Sequence, residues 1–244
     1  MAELAAARGM DVLAVVRSKE RAESLANKGF RVTRDLAPDV ARECVDADTH
    51  AVICFPPDGK TDAELAKLLR HARAVSYVST TGVYGDATGT IDDTTPVSAS
   101  PSPRLDAEAA YREIGGTVLR APGIYGPDRG MHVRVVSGLH KLPGAGDNVI
   151  SRIHVDDLAA LLLASSSVRG RTFVVGDREP AKQRDVVSWI RAEYGCAMPP
   201  SVPPEEVHES LRRNRRVDAS GILKELGVTL RYPTYREGMK REIG

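Results

Sequence analysis

Residues 51–78 read AVICFPPDGKTDAELAKLLRHARAVSYV. The stretch opens and closes on short apolar runs, residues 51–55 and 74–78. Between them, from about Asp62, Leu65, Leu68, Leu69 and Ala72 recur at the spacing of one helix face. Runs that are apolar on both faces suit buried parallel strands, because such strands are covered by helices above and below. Strand, amphipathic helix and strand together predict a βαβ unit and a parallel sheet.

The same alternation extends in both directions. Residues 12–16, 117–119 and 172–175 are further Val-rich runs, and a strand is also expected near Phe30. Val155, Leu158, Ala159 and Leu162 form one helical stripe, and Val186, Val187, Ile190 and Tyr194 another. Residues 85–103 and 199–206 are rich in Pro, Ser, Thr and Asp and read as loops. Beyond Asp177 the strand signal fades. The chain therefore reads as a Rossmann-like, doubly wound α/β domain over residues 1–176 and a small, mainly helical substrate-side lobe over residues 177–244. Residues 1–8 read as a helix stopped by Gly9, with a strand following at Val12. A doubly wound sheet normally begins with a central strand. The expectation is that this first strand and its glycine-rich turn are missing.

Composition excludes several classes. Thirty-four Lys and Arg against 33 Asp and Glu leave a charge of +1, so no net field favours nucleic acid or an anionic membrane. At 42% hydrophobic the 244 residues can build a core unaided, and no apolar run approaches the roughly 20 residues of a membrane span. Cys44, Cys54 and Cys196 are scattered, which argues against a disulfide framework or a metal site. The opening residues lack the basic start and long apolar stretch of a secretory leader, so a cytoplasmic location is expected.

No GxGxxG occurs in the chain, so a dinucleotide must be argued from other positions. Arg17 follows the strand at residues 12–16, where a Rossmann unit faces the adenosine ribose. An acid there binds the 2′-hydroxyl, and an Arg can accommodate a 2′-phosphate. Arg17-Ser18-Lys19 holds no acid, which favours NADP over NAD. A solvated basic loop reads the same residues equally well.

Three segments then come in order: VSTTGVYG at residues 78–85, LRAPGIYGP at 119–127 and RIHVDDLA at 152–159. Together they resemble the extended and atypical short-chain dehydrogenase/reductases, the NAD-dependent epimerase/dehydratase group. The resemblance implies a bound NAD(P) and a small polar substrate held between sheet and lobe. It places Thr80 at the family's catalytic Ser or Thr, with its hydroxyl on a substrate oxygen; a loop cap is the structural alternative. It sets Arg17, Ser18, Phe55, Arg104, Pro122, Gly123 and Ile124 along the dinucleotide. It puts Arg152 and His154 at the pocket mouth, with Asp156 or Asp157 capping the helix that begins there. A homodimer is expected on the same ground.

One departure matters. The family's proton donor is a Tyr followed four residues later by a Lys. Aligning the helix at residues 105–108 puts Ser100 and Arg104 at those positions. A serine hydroxyl is too weakly acidic to replace a phenol. Tyr111 lies two helical turns further on and reads as packing. Tyr84 and Tyr125 both fall on loops near the expected pocket, and the sequence does not choose between them. The basic run at residues 212–216 reads as a solvated face. Two functions remain: an NAD(P)-linked oxidoreductase or epimerase/dehydratase-type enzyme, and an inactive NAD(P)-binding sensor or scaffold.

Overall fold

The computed structural model describes residues 1–34 and 43–240. Four parallel strands form the central sheet in the order β3 (His50–Ile53), β4 (Ala74–Thr80), β6 (Thr117–Ala121) and β11 (Thr172–Val174). These are the continuous apolar runs of the sequence, and burial on both faces explains their composition: Tyr77, Val118, Leu119, Phe173 and Val174 are fully buried. Helices α3 (Thr61–Leu69) and α4 (Pro103–Glu113) cover one face, where Ile53, Leu69, Tyr77, Tyr111 and Val118 pack together. Helices α6 (Val155–Ala164) and α9 (Ser220–Leu226) supply Leu158, Leu161, Leu162 and Ile222 to the core on the other. Helices on both faces make the sheet doubly wound.

Near the amino end, α1 (Ala2–Ala7) is followed by Gly9 at φ +77°, a left-handed stop that glycine adopts without strain. Strands β1 (Leu13–Val15) and β2 (Arg31–Thr33) pair in parallel with each other and share no hydrogen-bonded register with the four-stranded sheet. Helix α2 (Lys19–Ala26) joins them, capped by the Ser18 hydroxyl.

The region after Asp177 holds more strand than its sequence signal predicts. Short strands β12 (Ala181–Lys182), β13 (Ser201–Val202) and β14 (Arg215–Val217) pair with β9 (Val149–Ile150), β8 (Leu142–Pro143) and β5 (Gly89–Ile91) respectively. Runs of two or three residues are too short to show a period, which is why they read as loop. The strand β5 lies inside the segment expected to be only loop. Helix α7 (Gln183–Tyr194) carries Val186, Val187 and Ile190 into a cluster with Tyr125, Leu142, Tyr235 and Met239. Among the described residues, no helix is long and apolar enough to cross a membrane.

Candidate functional site

A cavity of about 280 Å3 opens at the carboxyl ends of β4 and β6. This is where open α/β sheets bind ligands, because the loops diverge there. Its wall begins at Thr80, the last residue of β4, and continues through the short turn Thr81–Tyr84. The chain then leaves β6 through Pro122 into β7 (Gly123–Tyr125), which pairs with β10 (Arg152–His154). Of the residues expected at the site, Thr80, Pro122, Gly123, Ile124, Tyr125 and Arg152 line the cavity together. Gly130, at φ +122°, lets the wall close: a Cβ there would stand 2.6 Å from that of Tyr125.

The Thr80 hydroxyl accepts a hydrogen bond from the Gly82 N–H at 3.1 Å, so it caps the turn and still has its own proton to donate. The two candidate phenols differ. Tyr84 is off the cavity wall, and its hydroxyl accepts from Arg120 Nη1 at 3.1 Å. Tyr125 is on the wall, 1% exposed, with a long 3.4 Å donation to the Thr234 carbonyl. Burial pushes the pKa of both phenols up, so each keeps its proton at neutral pH.

Behind Thr80 lies a buried ionic cluster spread over four elements. Glu108 of α4 is fully buried and accepts from the Ser79 hydroxyl at 2.5 Å. It also accepts from Arg120 Nε at 3.1 Å and Nη2 at 2.7 Å. Arg104 turns inward at the start of the same helix and donates to the Tyr77 hydroxyl at 2.9 Å and the Val78 carbonyl at 3.3 Å. Tyr111 packs on Tyr77 at 4.9 Å and donates to Asp62.

Arg17, at the end of β1, lies against the end of β3. Its guanidinium meets Asp58 at 3.2 Å and sits 5.2 Å from the Phe55 ring centroid. Hydrogen bonds from the Thr61 hydroxyl, and from the N–H groups of Thr61 and Lys60, hold the Asp58 carboxyl well below the usual carboxylate range.

Arg152 is buried. It donates to the carbonyls of Glu179 at 3.1 Å and Ile150 at 3.2 Å, and lies 4.8 Å from the Tyr235 ring centroid. Its carboxylate, Asp177, is 3.8 Å away, too far for a hydrogen bond. His154 is 3% exposed and is not on the cavity wall. Its Nδ1 accepts from the Asp156 N–H at 3.2 Å, and its ring stacks 3.9 Å from Tyr232. It, rather than either aspartate, caps α6 through its side chain; Asp157 instead accepts the N–H groups of Arg231 and Tyr232.

Burial raises the Asp177 pKa to about 7, against a weaker downward pull from Arg152. A raised carboxyl pKa means that the folded state holds the proton more tightly. This group's contribution to stability is therefore full below about pH 4 and is lost as pH rises toward 7. The Asp177 carboxyl carbon is expected to titrate by NMR with a midpoint near 7. A midpoint near 4 would show that Arg152, not burial, governs it.

Four basic cavity residues escape the sequence reading: Arg134, His140, Arg213 and Arg215. Burial lowers His140 to about 4, so it is neutral at neutral pH. Arg215 donates to the carbonyls of Thr81 at 2.6 Å and Gly85 at 2.5 Å, fixing the turn that carries Thr80. A signal for the last two existed in the alternation of Arg213, Arg215 and Val217, hidden inside a run of like charges.

No protein-family model matches the chain. A curated relative, the 3-diazoavenalumate denitrifying reductase of a Streptomyces species, is 29% identical over 154 residues, covering 57% of this chain and 50% of that one. The chain spans about half the length of the curated relatives it matches. A conserved protein of unknown function from Silicibacter pomeroyi superposes with a TM-score of 0.82 at 29% identity, over 98% of this chain and 91% of that one. A UDP-glucuronic acid 4-epimerase variant from Bacillus cereus, in complex with a fluorinated substrate analogue and NAD, superposes at 0.78 with 17% identity, over 99% and 93% of the two chains. These likenesses join the parallel sheet in showing a Rossmann-like α/β fold.

Proposed function

We propose that this chain is an NAD(P)-linked oxidoreductase or epimerase/dehydratase-type enzyme acting on a small polar substrate. The observation that carries the reading is the meeting of Thr80 and Pro122, Gly123 and Ile124 in one cavity at the carboxyl end of the sheet. The Streptomyces reductase and the NAD complex of the Bacillus epimerase support it.

The side chains present fit a dinucleotide at both ends. Arg17, Ser18 and Phe55 offer a cation, a hydroxyl and an aromatic face beside β1. The Pro122–Ile124 segment and Thr80 offer a flat wall and a hydroxyl at the other end. Bound there, the cofactor would supply a hydride acceptor or donor. Thr80 would donate its proton to a substrate oxygen, which Gly82 assists by polarising Oγ. Tyr125, rather than Tyr84, would hold the exchangeable proton, because only Tyr125 is on the wall. Arg104, engaged with Tyr77, positions α4.

The Arg17–Asp58 pair is exposed, so little is lost when Arg17 exchanges its carboxylate for a 2′-phosphate. A charged hydrogen bond of about 1.5–3 kcal/mol corresponds to roughly tenfold or more in affinity. Arg17→Ala is therefore expected to weaken NADPH at least tenfold and NADH little, by calorimetric titration. Equal weakening of both would put Arg17 on a part that the two dinucleotides share, and no weakening of either would leave it a surface residue. The absence of a Tyr–Lys pair around Ser100 and Arg104 favours a second reading, a dinucleotide-binding protein without chemistry. Tight NADPH binding, with no oxidation of NADPH across a panel of small carbonyl compounds, would select it.

A further inference from the structure

The basic run at residues 212–216 is not a uniformly solvated face. It enters β14, where side chains alternate. Arg212, Asn214 and Arg216 are exposed, whereas Arg215 and Val217 are buried and Arg213 is partly buried. Arg213, Arg215 and Val217 all line the cavity. With Arg134 and Arg152 the wall carries four guanidinium groups, and among the described residues no Asp or Glu lines it. Two carboxylates pair with these cations, Asp177 with Arg152 and Glu209 with Arg213. The cavity therefore carries an excess of positive charge inside a chain that is nearly neutral.

The four cations are not equivalent. Arg134 donates to the Leu139 carbonyl, and Arg152 and Arg215 are committed to backbone carbonyls. Even so, the buried Nε atoms of Arg152 and Arg215 have no hydrogen-bond partner. Arg213 is anchored through Nη2 to Glu209 at 2.7 Å, which leaves the rest of its fork facing the Thr80 turn. A Cβ built on Gly82 would stand 3.3 Å from Arg213 Nη1 and 3.2 Å from Thr80 Cγ2. Glycine at 82 thus keeps open the space between the hydroxyl and the cation.

We propose that the cavity takes a compact substrate carrying an oxyanion, a carboxylate or a phosphate monoester, which Arg213 binds while Thr80 holds the reacting oxygen. A planar fork of donors matches both oxyanions. The proposal rests on reading this cavity as the substrate side of a dinucleotide site. Compactness follows from size: about 280 Å3 is at the lower end of the roughly 300–1,000 Å3 of ordinary ligand pockets, and part of it must admit a nicotinamide ring. A nucleotide sugar, as held by the Bacillus epimerase, would have to extend out of the cavity mouth.

Calorimetric titration of pyruvate, inorganic phosphate and UDP-glucose into the full chain, with and without NADPH, tests this. Pyruvate or phosphate is expected to bind the wild type more tightly than UDP-glucose, and whichever binds more tightly identifies the oxyanion. Arg213→Ala should weaken that binding tenfold or more, and Arg213→Lys by less. Arg212→Ala and Arg216→Ala, on the exposed face of the same run, should leave it unchanged. Thermal melting of each variant checks folding. The proposal is overturned if UDP-glucose binds most tightly, if no small oxyanion binds, or if Arg212→Ala weakens binding as much as Arg213→Ala. Arg213-dependent oxyanion binding by a chain that takes up no NADPH would sink the dinucleotide reading and leave the oxyanion site standing.

Discussion

Glu108→Ala is expected to cost about 3–5 kcal/mol of folding stability, the usual result of stripping one partner from a buried ion pair. Glu108 is fully buried, and the Arg120 side chain it leaves behind is 7% exposed. Burial opposes the charge on Arg120, and the hydrogen bonds with Glu108 and Tyr84 outweigh it, raising the guanidinium pKa further. For a chain of this size each kcal/mol moves the melting temperature by roughly 2–4 °C, so a fall of roughly 6–20 °C should appear in a thermal melt. Glu108→Gln, which keeps the volume and one acceptor, should fall less. A loss under about 1 kcal/mol would show that the guanidinium finds another partner. The cluster bears on the site as well, because Ser79, bonded to Glu108, immediately precedes Thr80.

Thr80→Ala should lower kcat/KM by about 10²–10³-fold once a substrate is in hand, the range seen when one donor to a developing oxyanion is removed. Thr80→Ser, which keeps the hydroxyl, should stay within about tenfold of wild type. Dinucleotide affinity should change little. The variant also loses the cap on the Thr81–Tyr84 turn, a loss of about 1 kcal/mol that a melt separates from the kinetic effect. Activity within tenfold of wild type for Thr80→Ala would reduce this residue to a cap.

The central sheet is legible in the sequence because β3, β4, β6 and β11 are covered on both faces and so consist of unbroken apolar runs. The wall formed by Thr80, Pro122, Gly123 and Ile124 is legible for a related reason: strand ends mark where the loops of such a sheet converge. Three features are not legible. The Glu108–Arg120 pair joins an acid on a helix to a base in a buried strand, and nothing local marks either as internal. Tyr84 and Tyr125 occupy the same kind of Val/Ile-Tyr-Gly context, and only the packing directs one toward Arg120 and the other to the cavity. The third is the inward half of residues 212–216. Charge runs are solvated by default, and three residues of strand are too few to display their period.

That third feature makes the site sensitive to parity. Arg215 sits opposite Gly89 and Val217 opposite Ile91 in the pairing of β14 with β5. A slip of one residue would send Arg213 and Arg215 out to water and bring Asn214 and Arg216 in, without altering any residue of the cavity wall contributed by β4, β7 or β10. The register of β14 on β5 is therefore itself a determinant of the cavity's charge. A one-residue shift of that register would erase the chemistry without changing a single residue of the strand.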